Sequence, residues 1–268
     1  MIISAQNPKL RLIRSLQGRA KARRKEQAFL VEGVRLLEEA ISAKWSIRFI
    51  LYDRNLSERG QKLLGSIKNT EIEEVDSALL KSVSDTQNPQ GIIAVLDDSQ
   101  LPLPDSLGFL LILDQIHDPG NLGTLLRTAA AGGVDAVILP PKTTDAFAPK
   151  VLRAGMGAHF RIPIISMNWE EIKARVADLT VFLAEMGRGL SYTEAKLNRA
   201  CALIVGGEAQ GASESARALA QTRIHIPMTG EMESLNAAVA GAILIFEVLR
   251  QKKISGSSLN RPPLLPPR

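Results

Sequence analysis

Short apolar runs alternate with segments of helix-like apolar spacing along the first hundred residues, a pattern typical of a small α/β module. Apolar runs favour strands, whereas apolar positions three or four residues apart favour helices. We predict strands at residues 29–31, 47–52, 71–75 and 92–96, and helices at residues 34–43, 56–67 and 77–83. These segments make up a first α/β domain at residues 1–96.

From Gly108 onward the apolar runs become longer and more continuous, which is typical of parallel strands buried on both faces. We predict strands at residues 109–113, 134–139, 162–165, 180–184, 202–205 and 223–226. Helices are predicted near residues 121–131, 147–153, 169–177, 213–220 and 235–251. Strands alternating with helices indicate a three-layer α/β domain with a parallel sheet, here at residues 107–252.

Two segments lack the apolar residues that a packed core needs. Residues 97–106 combine two prolines with acidic and polar side chains, which is typical of a linker. Residues 253–268 are rich in serine and proline, so we predict a disordered tail.

The composition is that of a globular protein: 45% of the 268 residues are hydrophobic and 23% are charged. Cys201 is the single cysteine and lies in an apolar run, which predicts a buried, inert thiol, no internal disulfide and a reducing compartment. No apolar run approaches the roughly 20 residues that span a bilayer, and the first residues lack a signal-peptide core. We therefore expect a cytoplasmic protein with no membrane partner.

Positive charge is concentrated at the start of the chain, where no acidic residue precedes Glu26. Apolar residues at helix-like spacing accompany these cations, so the segment is interpreted as a basic amphipathic arm that binds RNA phosphates. The candidate RNA-binding residues are Lys9, Arg23, Arg24 and Lys25. Two alternatives are a solvated helix face and a mitochondrial presequence; the scarcity of serine disfavours the second.

The first segment that could carry chemistry, residues 114–130, combines a strand end, a Pro-Gly turn and a helix start. Asn121 is predicted to cap that helix, whose N-terminus would face the crevice where α/β sheets bind ligands and anions. Arg127 follows two turns later and leans over Gly123, so its guanidinium could reach the same crevice. The alternative is that Asn121 only caps the helix and Arg127 is only a surface charge.

A second segment, residues 204–211, leads from a strand into a glycine-rich turn that contains Gly206, Gly207 and Glu208. Glycines let a ligand lie directly against the backbone. The spacing differs from that of a dinucleotide-binding turn, and a plain strand-to-helix turn is an alternative interpretation.

A third segment, residues 226–241, contains a strand end, a polar loop and a helix that we predict to open at Ser234. The small residues Ala237 and Gly241 allow close packing, and the apolar face continues through Leu244, Ile245 and Val248. Because this face is larger than one helix needs, we predict that it forms a two-fold homodimer interface.

Together the three segments resemble the SpoU/TrmH family of the SPOUT methyltransferase superfamily over residues 108–250. The motifs stand in family order: Asn121 with Arg127, then Gly206-Gly207-Glu208-x-x-Gly211, then Ile226-Pro227-Met228 leading to Glu233-Ser234-Leu235-Asn236. The beginning of the chain resembles the L30e-like RNA-binding domain that precedes the catalytic domain in many members. That resemblance rests on Asn7-Pro8, on residues 29–33 and on residues 88–91.

The resemblance implies S-adenosylmethionine (SAM) as methyl donor, a ribose 2′-hydroxyl of structured RNA as acceptor, with rRNA favoured over tRNA, and a homodimer with active sites completed near the subunit interface. It implies a C-terminal trefoil knot, an exception to the usual absence of knots. The residues expected to line the cofactor are Gly206, Gly207, Ile226, Met228 and Leu235. Those expected at the reaction centre are Asn121, Arg127, Glu208, Ser234 and Asn236. One departure is Gly155, where many relatives carry a serine.

Methyl transfer from a sulfonium needs no metal. The three histidines, His117, His159 and His225, form no cluster with the spacing of metal ligands, so we expect no metal site. Arg127 has two candidate roles: it clamps the phosphate beside the target ribose, or its guanidinium accepts the hydroxyl proton, as proposed for the family. Two other functions stay open. One is a Rossmann-type nicotinamide oxidoreductase, disfavoured by the first turn, and the other is a catalytically inactive RNA-binding or ribosome-assembly protein of the same fold.

Overall fold

The computed structural model describes residues 1–99, 101–207, 211–229 and 234–256. The helices, in chain order, are α1 (Pro8–Gly18), α2 (Ala20–Glu26), α3 (Val34–Ser42), α4 (Glu58–Ser66), α5 (Ser77–Ser82), α6 (Pro119–Ala131), α7 (Pro149–Gly155), α8 (Trp169–Arg175), α9 (Glu214–Leu219) and α10 (Ala237–Ile254). The strands are β1 (Ala28–Glu32), β2 (Ile47–Tyr52), β3 (Glu71–Glu74), β4 (Ile92–Asp97), β5 (Phe109–Asp114), β6 (Ala136–Leu139), β7 (Ile164–Ser166), β8 (Thr180–Ala184), β9 (Leu190–Ser191), β10 (Cys201–Gly206) and β11 (Thr222–His225).

The chain divides into two compact units. The first contains Met1–Ser99 and a returning segment, Asp145–Phe160; the second contains the described residues of Gln100–Thr144 and Arg161–Arg268. The sequence pattern placed the returning segment in the later domain. It joins the first unit because Phe147 and Phe160 pack against Phe29, with ring centroids 4.9 and 6.3 Å apart respectively. The functional domain bounds stay predictions.

The first unit contains a four-stranded sheet in the order β1-β4-β2-β3, in which only β2 and β3 are parallel. The basic arm forms α1 and α2. Asn7 caps α1, with its side chain accepting from the Lys9 backbone at 2.8 Å, and Pro8 supplies a first residue that needs no hydrogen-bond donor. Leu10, Ile13 and Leu16 bury one face of α1 in the core of this unit.

Two cations of the arm have internal partners. The Arg23 side chain is buried, donates to Asp145 at 2.6 and 2.8 Å, and also donates to the Leu16 carbonyl. Lys9 forms ion pairs with Glu71 and Glu73 at 2.6 and 2.5 Å, and both carboxylates raise its pKa against the opposing effect of its own desolvation. The buried Arg23 side chain is therefore not available to RNA, whereas the partly exposed Lys9 stays a predicted RNA-binding residue.

The second unit contains a seven-stranded sheet in the order β7-β6-β5-β10-β8-β11-β9, with every neighbouring pair parallel. This confirms the predicted α/β class and parallel sheet. The short strand β9 was not predicted. All residues of β5 are buried, as the continuous apolar run indicated. The predicted trefoil knot stays a prediction.

Helix α10 packs against α6 and β10, and this packing corrects the predicted dimer surface. Leu244, Ile245 and Val248 are buried within the chain. A Cβ atom added at Gly241 would overlap the Leu125 side chain, so the small residue serves close packing of two helices in one chain. The apolar residues that α10 leaves exposed lie elsewhere on the helix. Among the described residues, no helix has the length and apolar character to cross a membrane.

Candidate functional site

A cavity of about 790 Å³ opens at the carboxyl ends of β8, β10 and β11. This edge of a parallel sheet is where α/β folds bind ligands. The residues that line the cavity are Ala184, Glu185, Met186, Arg188, Val205, Gly206, Gly207, Gly211, Ala212, Arg217, Ile224, His225, Ile226, Met228, Ser234, Leu235, Asn236, Ala237, Ala240 and Leu244. All five predicted cofactor-lining residues are in this set.

Gly206 and Gly207, where β10 leads into the glycine turn, line the cavity, and the backbone around them leaves no room for side chains. A Cβ atom at Gly206 would lie 2.7 Å from the Ala212 nitrogen. One at Gly207 would overlap the carbonyl oxygen of Gln115, the residue that follows β5. Both glycines are therefore required by close backbone approach. Glu208, predicted at the reaction centre, lies outside the described residues.

Helix α6 begins two residues earlier than predicted, and Asp118, not Asn121, is its N-cap. The Asp118 carboxylate accepts from the Asn121 backbone nitrogen at 2.8 Å, and Pro119 occupies the first helical position. Aspartate is a preferred N-cap residue and proline is preferred at the first helical position. The Asp118-Pro119 pair therefore starts the helix, which explains why the predicted cap was wrong. The Asn121 side chain is thereby available for another contact.

That contact joins the first and third motifs. The Asn236 side-chain amide donates to Asn121 Oδ1 at 3.1 Å, and Asn236 Oδ1 accepts from the backbone nitrogens of Ala238 and Val239 at 2.9 and 3.2 Å. Asn236 is thus the N-cap of α10, so the prediction that Ser234 opens this helix was wrong. Because its cap fixes the side chain, Asn236 presents a rigid polar group at the cavity wall.

Arg127 lies on the exposed surface of α6 and is not among the residues that line the cavity. Within the described part of the chain, its guanidinium has no hydrogen-bond or ion-pair partner. Ser234 is exposed and lines the cavity with Leu235. The structure therefore brings together Asn121, Asn236 and Ser234 near the cavity, whereas it does not bring Arg127 into the cavity wall of the same chain. The catalytic roles of these residues stay predictions.

Sequence reasoning missed a charged group at the cavity wall. Glu185 follows β8 directly and accepts from Arg217 Nε at 2.9 Å, while Arg223 Nη1 lies 3.4 Å from its other oxygen. Glu185 and Arg217 both line the cavity. A glutamate immediately after a buried strand was the signal that could have identified this group, since strand ends meet at the ligand-binding edge.

Two titratable groups have strongly shifted pKa values. Burial lowers the pKa of His159 to about 4, and its Nε2 lies 2.8 Å from the Ala146 carbonyl. Burial raises the pKa of the Cys201 thiol to about 11, which agrees with the predicted inert cysteine. Both values describe packed groups and not a reactive centre. Among the described residues, no cluster of His, Cys, Asp and Glu is arranged to hold a metal ion.

The remaining predicted residues lie in the first unit. Arg24 and Lys25 are exposed at the end of α2, unlike Lys9 and Arg23. Gly155 is buried at the end of α7, and nothing in the structure explains why this chain has no serine there.

The chain is similar to known methyltransferases along almost its whole length. Residues 108–246 match the SpoU rRNA Methylase family, and residues 7–94 match the MRM3-like substrate binding domain. The 23S rRNA (guanosine(2553)-2'-O)-methyltransferase RlmP of Bacillus subtilis is 35% identical, over 92% of this chain and 98% of that protein. The human mitochondrial rRNA methyltransferase 3 is 32% identical, over 89% of this chain and 71% of that protein.

A solved structure shows the same arrangement of elements. The SpoU methyltransferase AviRb from Streptomyces viridochromogenes, crystallised with the cofactor AdoMet, superposes with a TM-score of 0.81 at 28% identity, covering 93% of this chain and 100% of that one. The match of the catalytic region, the full-length relatives and this superposition agree with one another. The chain belongs to the SpoU rRNA methylase family.

Proposed function

We propose that this protein transfers a methyl group from SAM to a ribose 2′-hydroxyl of rRNA. The observation that carries the proposal is the cavity at the carboxyl end of the parallel sheet, where Gly206 and Gly207 form part of the wall and the Asn121–Asn236 pair joins two motifs beside it. The relatives named as rRNA 2′-O-methyltransferases support the reaction and the RNA class. The inactive alternative is not favoured, because the relatives are named as rRNA 2′-O-methyltransferases.

The residues present fit the proposed cofactor. The cavity volume of about 790 Å³ falls within the usual range of small-molecule sites, about 300 to 1,000 Å³. Gly206 and Gly207 provide bare backbone, while Ile226, Met228 and Leu235 provide apolar surface for an adenosine and a methionine chain. When bound, SAM supplies a methyl group that is already electrophilic, so no metal is required.

The work left to the protein is to orient the ribose hydroxyl and to remove its proton. Asn236, fixed by its capping bonds, and Asn121 hold polar groups in place beside the cavity. We assign Arg127 to the phosphate next to the target ribose, because a guanidinium forms a planar fork for phosphate and is almost never deprotonated near neutral pH. The proton-acceptor role would need a strongly perturbed site.

Calorimetric titration tests the proposal directly. We expect the protein to bind SAM and not NAD, and to methylate rRNA at a ribose in a reaction with labelled SAM. Mass-spectrometric mapping of ribose methylation in a deletion strain would then identify the nucleotide. A protein that binds NAD but not SAM would favour the oxidoreductase alternative. A protein that binds RNA but not SAM would favour the inactive RNA-binding alternative.

We also propose a homodimer, with an interface on the exposed face of α10. Val239 and Phe246 are each 49% exposed, and Ile243 lies between them at helical spacing. The proposed interface lies on the same helix as the one predicted from the sequence. It is formed by the opposite face of that helix. Since α6 packs against α10, Arg127 would lie close to such an interface, where it can complete a site of the partner chain.

Replacing Phe246 with glutamate is expected to convert the dimer into a monomer, because the interface would have to bury an unpaired charge. Light scattering at micromolar concentration measures the mass. The matched control is Ile3→Glu, a substitution at a residue that is 73% exposed in the first unit, which should leave the mass unchanged. A monomeric wild-type protein would refute the interface.

The exposed cations of the arm are proposed to bind RNA phosphates. Replacing Arg24 and Lys25 with alanine should weaken RNA binding and reduce the salt slope by roughly 1.5, since each lost phosphate contact contributes about 0.7 to 0.9. SAM affinity should not change. Arg23 is left intact in this variant because its removal would leave Asp145 without its buried partner.

Filter binding at several salt concentrations is the measurement for the arm. Lys62→Ala is the control, because this exposed cation on α4 already pairs with Glu58. RNA affinity unchanged at every salt concentration would show that the arm is only a solvated face.

Cytoplasmic location and the trefoil knot are further proposals, supported by the bacterial relatives and by the family respectively.

A further inference from the structure

Asp114 is the last residue of β5 and is fully buried. Its backbone pairs with Gly206, the last residue of β10, in the parallel register of the two strands. Its carboxylate oxygen Oδ2 accepts from the Ser213 backbone nitrogen at 2.6 Å. One residue therefore contacts the chain both where the glycine turn leaves the sheet and where it ends.

The described residues between these two contacts form the cavity wall. Gly207 pairs with Gly211 in an isolated antiparallel bridge, and both line the cavity together with Gly206 and Ala212. Because both ends of the turn are attached to Asp114, the position of this wall depends on that residue. A shift of Ser213 would move Ala212, its neighbour in the chain.

The arrangement is costly for a residue that only stabilises the fold. Asp114 Oδ1 is buried and has no hydrogen-bond partner in the described part of the chain. Burying a carboxylate with an unpaired oxygen is unfavourable, and a smaller or apolar side chain would avoid that cost. What the carboxylate adds is a charge-assisted hydrogen bond to Ser213, which is about twice as strong as a neutral one.

We infer that Asp114 is a positioning residue, which holds Gly206 and Ser213, on either side of the glycine turn, where the cavity accepts the cofactor. The inference rests on the proposed function, since the ligand of the cavity is SAM. Asp114 does not line the cavity, so it acts through the turn and makes no contact with the bound molecule.

The protein offers a matched control in Asp135, a second buried aspartate of the same unit. Asp135 Oδ2 accepts from the backbone nitrogens of Gly108 and Phe109 at 2.7 and 2.8 Å. These residues lie at the opposite end of β5 from Asp114, away from the glycine turn. Asp135→Asn therefore reports the general effect of neutralising a buried carboxylate that bonds to the backbone.

The test measures SAM affinity by calorimetry and amide hydrogen exchange at Ser213 in the full chain. Asp114→Ala should bind SAM about tenfold more weakly or worse, with faster exchange at Ser213. Asp114→Asn keeps an acceptor without the charge and should show a smaller loss of affinity. It also serves if the alanine variant does not fold. Asp135→Asn should bind SAM as the wild type does.

The outcomes separate this inference from the proposed function. If the wild type binds SAM and both Asp114 variants bind it equally well, the positioning role is overturned and the proposed function stands. Equal losses in Asp114→Asn and Asp135→Asn would likewise overturn it, because they would indicate a general structural effect. If the wild-type protein does not bind SAM, both the proposed function and this inference are refuted.

Discussion

Replacing Arg127 with alanine is expected to slow single-turnover methyl transfer by at least about a hundredfold while SAM affinity stays at the wild-type value. The physical reason is that Arg127 does not line the cavity of its own chain, so we expect no contact between its side chain and the cofactor bound there. Its exposed guanidinium is instead available to hold the phosphate beside the target ribose. A loss in the chemical step without a loss in cofactor affinity is the signature of that role.

Arg127→Lys separates charge from geometry, because lysine keeps the charge but loses the planar fork. We expect this variant to be nearly as slow as the alanine variant. Lys173→Ala, which removes an exposed cation on α8, is the control and should turn over normally. Near-native turnover of Arg127→Ala would show that Arg127 is only a surface charge. It would contradict the phosphate-binding role on which much of the proposed mechanism depends.

The substitution Gly207→Ala, which adds a single methyl group, is expected to weaken SAM binding by about tenfold or more. The new Cβ atom would overlap the Gln115 carbonyl, and neither backbone can move without shifting the cavity wall. Overpacking of this kind costs about 1 to 3 kcal/mol, so the melting temperature should fall as well. Calorimetry and thermal unfolding measure the two effects.

The control for this substitution is Gly65→Ala. Gly65 is a glycine of α4 around which a Cβ atom would meet nothing within 4 Å. Alanine is the better helix former by up to about 1 kcal/mol, so this variant should be at least as stable as the wild type. If Gly207→Ala binds SAM with wild-type affinity, the close approach of the two backbones does not shape the cavity.

Most strands could be predicted because burial on both faces leaves continuous apolar runs, as in β5 and β10. The cavity residues could be assigned because their motifs resemble those of the family, and the parallel sheet brings the ends of β10 and β11 to the same edge. The role of Arg23 could not, since its partner Asp145 is 122 positions away along the chain. Its charge suggested RNA, whereas its burial indicates a structural ion pair.

The exposed face of α10 illustrates a second limit of sequence pattern. This helix is apolar around most of its circumference, so periodicity did not show which residues pack inside the chain. Gly241 appeared to suit contact with another subunit, but Leu125 of α6 occupies that space. Only the tertiary packing separated the internal face from the row of Val239, Ile243 and Phe246.

The returning segment Asp145–Phe160 means that the two units cannot be separated by a single cut of the chain. A fragment beginning after residue 106 would carry Phe147 and Phe160 without the aromatic ring of Phe29 that they pack against. The complementary fragment would lose both rings and also Asp145, leaving the buried Arg23 without its counter-charge. In synthesis order, the first unit therefore completes its packing only after the ribosome has made the first two strands of the second.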